Sequence, residues 1–541
     1  MGRALSPSPA RALVLLCAAA LGARSAASQV AGGSSENQSS WLVTWSPLES
    51  RADLPRRLPF VGGPGGLLLP PPRVGLFWTA GNPAALQHEL SDTLTDFGMT
   101  LSHESGSLRR PLDPRASSLR HASAIGWMPL SERVAVVGAL TLDQETFDPG
   151  SHADVIEAYP TSPFVTLDTS TAATRRTGAR LEGAVSTRLG SWGLGVALGY
   201  DALERETINA GLVRRSRRAV PGATLGLTKQ IGAIRLGPYV RWHSSAETVY
   251  LIERAGEGLV IQLEGLRDVQ PLDILSFYYR RIEEMTPTVG WSLGGPLRRA
   301  NWTLYVERSW LHERLTRQEA DNPASDKWDA GAWSGGGAYQ RPIGARTSLT
   351  VDVRYMKLRG DGDLALDSIG VIFRANESAI VGSAEIRALP DSTRLAVAIG
   401  LQVRWEHRLR DALTVPIAGE VTGLTNSVTI QLGRQLSSRL FGTATLGTAS
   451  YSANSSYPAP SALGPIYQTY VLPEYDLASR PAHPWLGALG LRWTVSARTS
   501  LWLTATGQRV SPSKPGLTAS FGPDGSRSVI NISAGVRLAP H

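Results

Sequence analysis

The chain has 541 residues, with 54 Lys and Arg against 46 Asp and Glu, a net charge of +8, 55 Gly and a single Cys. One cysteine excludes a disulfide framework, and the lack of any run of about 18 uninterrupted apolar residues excludes a membrane helix. The basic excess invites a nucleic-acid reading, but no RNP, zinc-finger or helix-turn-helix pattern accompanies it and the N-terminus points to export, so no nucleic-acid partner is expected.

Arg3 and Arg11 flank a short basic start, Ala12 to Leu21 is an apolar stretch too short to span a bilayer, and Ser25-Ala26-Ala27-Ser28 offers small residues for cleavage. Residues 1–28 therefore read as a secretory signal peptide. Cys17 falls inside it, which leaves the mature chain without a thiol nucleophile; acylation of Cys17 as a lipoprotein is the competing reading, weakened by the very short apolar stretch before it. Residues 29–90, with a Pro/Gly-rich lead from Leu54 to Pro72, read as a periplasmic N-terminal segment, and residues 91–541 as one barrel.

From there on the chain sorts its residues by side. Phe97, Met99 and Leu101 alternate with Asp96, Gly98, Thr100 and Ser102, and Val134, Val136, Leu140 and Leu142 form the next apolar row. Leu181, Val185 and Leu189 oppose Glu182, Ser186 and Arg188; after Gly190-Ser191, Trp192, Leu194, Val196, Leu198 and Tyr200 oppose Gly193, Gly195, Ala197, Gly199 and Asp201. The same period of two continues through Ile234–His243, Leu349–Tyr355, Leu395–Glu406, Leu489–Ser496 and Ile530–Leu538. Runs of about 9 to 12 residues suit tilted strands that cross a bilayer, longer than the usual soluble strand. The predicted fold is all-β, a transmembrane antiparallel β-barrel of about 14 to 18 strands with its greasy face toward lipid.

Short connections at Leu130–Arg133, Gly190–Ser191, Ile231–Ala233, Pro342–Arg346, Leu389–Thr393, Ser437–Ser438 and Ala497–Thr499 alternate with longer polar stretches. The long ones are Glu104–Ser117, Thr146–Thr174, Glu206–Ala219, His312–Asp326, Tyr451–His483 and Arg509–Gly525. Tight periplasmic turns and long extracellular loops produce this asymmetry, which places the chain in a bacterial outer membrane. Trp127, Trp192, Trp242, Trp302, Trp405 and Trp485 sit near strand ends and are expected in the aromatic girdles at the headgroup boundary.

The basic residues fall in two kinds of place. The run Arg214-Arg215-Ser216-Arg217-Arg218 reads as a solvated loop facing lipopolysaccharide. On the polar side of strands lie Arg188, Arg235, Arg241, Arg354, Arg404, Arg492 and Arg537, with Glu182, Asp201, Glu307, Asp352 and Glu406 as counter-charges, all expected to face the lumen. Two readings stay open for them: a charge-selective channel, or an interior closed by salt bridges. Enzymatic signals are thin. His103, His121, His243 and His407 are the rim histidines to follow, and His243-Ser244-Ser245 is the nearest approach to a nucleophile group, but neither G-x-S-x-G nor H-E-x-x-H occurs and no metal-ligand spacing appears. No cofactor is expected.

Two family resemblances come from the residues. Asn82-Pro83-Ala84-Ala85-Leu86 resembles the N-P-A-x-L turn before the barrel in FadL-like long-chain fatty acid transporters. Residues Tyr159 to Tyr200, with Ser162-Pro163-Phe164-Val165-Thr166-Leu167-Asp168 and Trp192-Gly193-Leu194-Gly195, resemble a group of uncharacterised outer-membrane proteins, which implies a barrel and no particular activity. The ending Arg537-Leu538-Ala539-Pro540-His541 departs from the terminal aromatic residue common in such barrels. The expected function is porin-like or transporter-like passage or binding of a small solute, with outer-membrane lipid and lipopolysaccharide as the other partners. A hydrolase acting at the rim, or a structural or adhesive barrel acting through its long loops, are the alternatives.

Overall fold

A computed structural model describes residues 74–539 apart from 91, 110–111, 154–161, 163, 209–212, 253–259, 265–270, 273–277, 318–323, 364–370, 389–394, 414–416, 458–466 and 513–524. The expected signal peptide lies outside the described residues. Three pieces of the N-terminal segment are described: a helix over Leu76–Ala80, a 3-10 turn over Pro83–Ala85 and a helical turn over Leu86–Glu89.

The strands follow in chain order: β1 Leu94–Gly106, β2 Ala116–Ser131, β3 Val134–Ala153, β4 Phe164–Leu189, β5 Trp192–Ile208, β6 Val213–Ile231, β7 Ile234–Ile252, β8 Val260–Glu264, β9 Pro271–Leu272 and β10 Tyr278–Leu297. Then come β11 Ala300–Arg317, β12 Ala324–Pro342, β13 Thr347–Asp363, β14 Val371–Ala388, β15 Ala396–Ala412, β16 Ile417–Gln435, β17 Leu440–Ser456, β18 Trp485–Thr494, β19 Thr499–Val510 and β20 Arg527–Leu538. Among the described residues eighteen of these form a closed antiparallel barrel: β7 pairs with β10, and β20 returns to β1 through Thr95↔Leu538 to Gly106↔Arg527. Closure removes every sheet edge, so the backbone amides of the wall are paired all the way round. The short β8 and β9 stand off the wall, β8 against the start of β4.

The alternation has the expected sense. Leu181, Val185, Leu194, Val196, Leu198, Ile399, Leu401, Leu489 and Ile532 are exposed, while Glu182, Ser186, Ala197, Asp201 and Ala398 between or beside them are buried. An exposed apolar row on strand after strand is the inverse of a soluble sandwich, whose greasy face would be inside. The hairpin turns share one rim: Gly190 and Gly232 take left-handed φ values of 63° and 60°, which tight turns require and glycine adopts without strain. A turn at Arg298-Arg299 joins β10 to β11 on the same rim. Its left-handed residue is Arg298, φ 55°, so the usual glycine signal is missing and the sequence pattern passed over it.

At the opposite rim the strands run well past the apolar belt. Glu206–Ala219 was expected as a loop, yet β5 and β6 pair as far as Glu206↔Arg215. The stretches Thr146–Thr174 and His312–Asp326 are likewise largely strand. Above the lipid the outer face of a strand meets water, so no lipid-facing greasy row marks it.

Candidate functional site

The inside of the barrel is occupied by its own chain at both ends. At the short-turn rim the N-terminal clip, residues 74–90, lies against the inner wall. Its first helix ends at Gly81, φ 69°, whose N–H donates to the Phe77 carbonyl at 3.0 Å. Asn82 then caps the following turn by accepting from the Ala84 N–H at 3.1 Å, with Pro83 pre-setting the first helical φ. Glu89 folds the clip back on itself, its carboxylate accepting from the N–H groups of Leu76 at 2.6 Å and Phe77 at 3.2 Å. These are free amides of a helix start, where a negative group is favoured.

The clip docks through backbone. Asn82 Nδ2 donates to Ser292 Oγ at 3.1 Å and toward the Leu227 and Gly237 carbonyls, while Ser186 and Thr228 hydroxyls donate to the Ala84 carbonyl at 3.1 and 3.4 Å. Wall glycines make this approach possible. A Cβ on Gly195 would lie 2.3 Å from the Pro83 carbonyl carbon, and one on Gly193 2.6 Å from the Ala84 oxygen. The small face of the β5 run is thus a docking strip. Leu76, Phe77, Leu86 and Leu90 fill the remaining space against Trp127, Ala135, Val137, Ala184 and Ala197. Trp127 is only 7% exposed and meets Trp78 edge to face at 5.9 Å, so it is an interior residue and not part of a girdle. Trp192, Trp242 and Trp485 are exposed on the outer face, and Trp302 and Trp405 are half-buried.

Burial sets the charge of the clip. Glu89 is pushed up to about 7, chiefly by desolvation and against the pull of Arg235 and the amides it accepts from. His88 is pushed down to about 4 by desolvation and then by Arg235 and Arg188, so it is neutral at physiological pH.

At the far end the connection from β17 to β18 folds inward. A π-type turn over Tyr467–Val471 leads into a helix over Leu472–Ser479. Tyr467, Tyr470, Val471, Leu472 and Tyr475 are buried against Leu311, Leu315, Trp328, Leu358, Phe373 and Val421 of the wall. The helix end is held by the Asp476–Arg480 ion pair and by Tyr451, whose hydroxyl donates to the Ala478 carbonyl. The burial that buries Tyr467 also pushes its phenol up to about 12.

Between the closures the wall carries charge. Glu307 accepts from Tyr239 at 2.9 Å and Ser334 at 2.8 Å, with Arg241 at 3.6 Å. Arg354 pairs with Asp352 at 2.9 Å, Arg404 with Glu406 at 3.3 Å, and Arg180 with Asp201 at 2.8 Å. Arg387 and Glu385, unmarked by the sequence pattern, form a further buried pair at 2.9 Å. Glu182 is buried on the inner side of β4. Three further arginines of the expected set have neighbours other than a carboxylate: Arg188 is exposed and donates to the Gly190 carbonyl at 3.1 Å, Arg492 lies 5.3 Å from the Phe441 ring centroid, and Arg235 borders the clip. Arg537 reaches across the closure to Asp96.

The rim histidines divide among separate pairs. His103 Nδ1 lies 3.0 Å from Ser118 Oγ, His121 2.7 Å from Asp143 and His407 2.9 Å from Glu420, while His243 is 3.9 Å from Glu284, too far for a hydrogen bond. Among the described residues no group of three or more His, Cys, Asp or Glu is placed to hold a metal.

Residues 83–205, from the clip through most of β5, match a family of unknown function, DUF6850. No curated protein matches the chain by sequence. Similar solved structures include the unliganded ferric citrate transporter FecA, at 10% identity over 83% of this chain and 79% of that one, TM-score 0.42. Others are the siderophore receptor PirA from Acinetobacter baumannii, at 8% identity over 83% and 81%, TM-score 0.38, and the copper transporter OprC, at 9% over 82% and 80%, TM-score 0.34. With TM-scores this low, ligand and mechanism have to be read from this chain's own residues. The likeness of Asn82–Leu86 to the fatty acid transporters finds no support in these comparisons.

Proposed function

We propose that the chain is an outer-membrane barrel for the passage of a small polar solute, held closed at rest by the N-terminal clip at the periplasmic, short-turn end and by the Tyr467–Ser479 segment at the outer end. The observation that carries this reading is the combination of an apolar exterior with a charged interior that two segments of the same chain occupy. A barrel serving only as a scaffold needs no docking strip of glycines facing inward. Here that strip excludes every side chain larger than hydrogen where the clip backbone passes.

The clip is attached by a few hydrogen bonds and by the burial of Leu76, Phe77, Leu86 and Leu90, so its release costs less than unfolding the eighteen-stranded wall. The Glu307, Glu385 and Glu406 pairs then line the path, and their paired state makes the lumen polar without a large field of either sign. Conductance in planar bilayers tests the proposal. The purified parent is expected to show rare openings, and Gly195→Val combined with Trp328→Ala, which forces the clip off the wall and loosens the outer segment, frequent ones. Silence in both would sink the transport reading and leave the structural or loop-mediated role.

A further inference from the structure

We infer that the cavity between the clip and the short-turn ends of β7, β10, β11 and β12 is a binding site for a small aromatic carboxylate, with the Arg235 guanidinium as its anchor. The cavity holds about 320 Å³, and its lining includes Trp78, His88, Glu89, Arg235, Asn301 and Gln340. That volume lies at the small end of the range for ligand pockets.

Arg235 is half-buried at the cavity wall. Its Nε is buried without a hydrogen-bond partner, and no carboxylate among the described residues lies within 4.0 Å of it. Glu89 is the carboxylate whose field reaches it, and both oxygens of Glu89 are engaged by the Leu76 and Phe77 amides. Arg188 adds a second positive charge nearby. A half-buried guanidinium whose one nearby carboxylate is turned to backbone amides keeps its own N–H groups unmatched, and a planar carboxylate that accepts two parallel N–H bonds is the group that best relieves it.

The rest of the lining selects the body of the ligand. Trp78 supplies indole surface, and Gly294, Gly295 and Pro296 add a stretch of wall with little side chain. Flat apolar surface beside a guanidinium favours a flat apolar body with one negative charge over a compact, fully hydrated oxyanion. Asn301, Gln340 and neutral His88 leave donors and acceptors for one further polar substituent. The site requires the barrel and the docked clip, and stands whether or not the barrel conducts.

Benzoate is the probe, titrated into the full-length barrel in detergent by calorimetry and by tryptophan fluorescence. Acetate, inorganic phosphate and benzyl alcohol serve as comparisons that remove the ring, the carboxylate geometry and the charge in turn. Saturable binding of one benzoate is expected, each comparison weaker by roughly tenfold or more, and Arg235→Gln weakening benzoate by a similar factor. Arg235→Lys, which keeps the charge but not the fork, should fall between parent and Arg235→Gln, and it keeps the test sharp if the Gln variant fails to assemble. Absence of saturable benzoate binding to the folded parent overturns the proposal. So does phosphate or acetate binding as tightly as benzoate, or an Arg235→Gln barrel that binds like the parent.

Discussion

The two closures meet the wall differently. At the short-turn end the wall offers glycine, and beside the burial of Leu76, Phe77, Leu86 and Leu90 the clip is fixed by backbone carbonyls and amides together with Asn82, Ser186, Thr228 and Ser292. At the outer end the wall offers Trp328, Phe373, Leu311 and Leu315, and the Tyr467–Ser479 segment is held by side-chain burial. Hydrogen bonds at contact distance fix one register and are lost together when the partner moves. Apolar burial is graded and tolerates small slips. The clip is therefore suited to two discrete positions, docked or free, and the outer segment to staying in place.

Four measurements test that contrast. The largest effect is expected from Trp328→Ala. Trp328 is fully buried beside Phe373 at 5.9 Å, so the cavity left behind should cost about 3–5 kcal/mol and loosen the Tyr467–Ser479 segment. Hydrogen exchange should rise there and stay unchanged in the clip. If the clip loosened equally, the two ends would be one cooperative unit.

Gly195→Val comes next, since its Cβ would meet the clip backbone at 2.3 Å, with about 1–3 kcal/mol of overpacking that expulsion of the clip relieves. Limited proteolysis should cut within 74–90 in the variant and spare the parent. Asn82→Ala removes the bond to Ser292 and the cap on Ala84, and takes a donor from the Leu227 and Gly237 carbonyls, for about 1–3 kcal/mol. Proteolysis of the clip should be intermediate. An Asn82→Ala clip as protected as the parent would assign docking to the Leu76, Phe77 and Leu86 burial instead.

The smallest effect is pH. Glu89 has a folded pKa of about 7 against a usual 4.5, so the docked clip holds a proton that the released clip has lost, and docking weakens as pH rises from about 4.5 through 7. His88 has a folded pKa of about 4 against 6.5, so the released clip holds the extra proton, and docking strengthens as pH rises from about 4 through 6.5. The slopes oppose each other over most of that window, with Arg235 the charge facing both groups and Arg188 facing His88. Clip protection in the parent should thus be nearly flat from pH 4.5 to 6.5 and fall above it. His88→Gln should expose the Glu89 decline, and Glu89→Gln the His88 rise. A steep slope in the parent that neither substitution alters would place the titrating group elsewhere.

Strand identity, facing and closure were legible because lipid imposes one rule on every crossing: a greasy side chain outward at every second position. The row Trp192 to Tyr200 shows it without help from any neighbour. The glycines on its other side, Gly193 and Gly195, were visible as a small face but not as a seat, because the Asn82–Ala85 turn that fills it lies more than a hundred residues away in the chain. The polar upper halves of β5, β6, β11 and β12 read as loops for a related reason, since a strand surrounded by water on its outer face has no periodic signal to give. Which arginine finds a carboxylate was equally hidden. Arg404 and Glu406 are pattern neighbours and do pair, whereas Arg241 finds Glu307 on a strand four places along the chain, and Arg235, identical to them by pattern, borders a cavity instead. Alternation is a local consequence of backbone geometry and solvent, so one strand carries it; what occupies the lumen depends on how segments distant in sequence meet inside the closed wall, and only the tertiary structure brings them together.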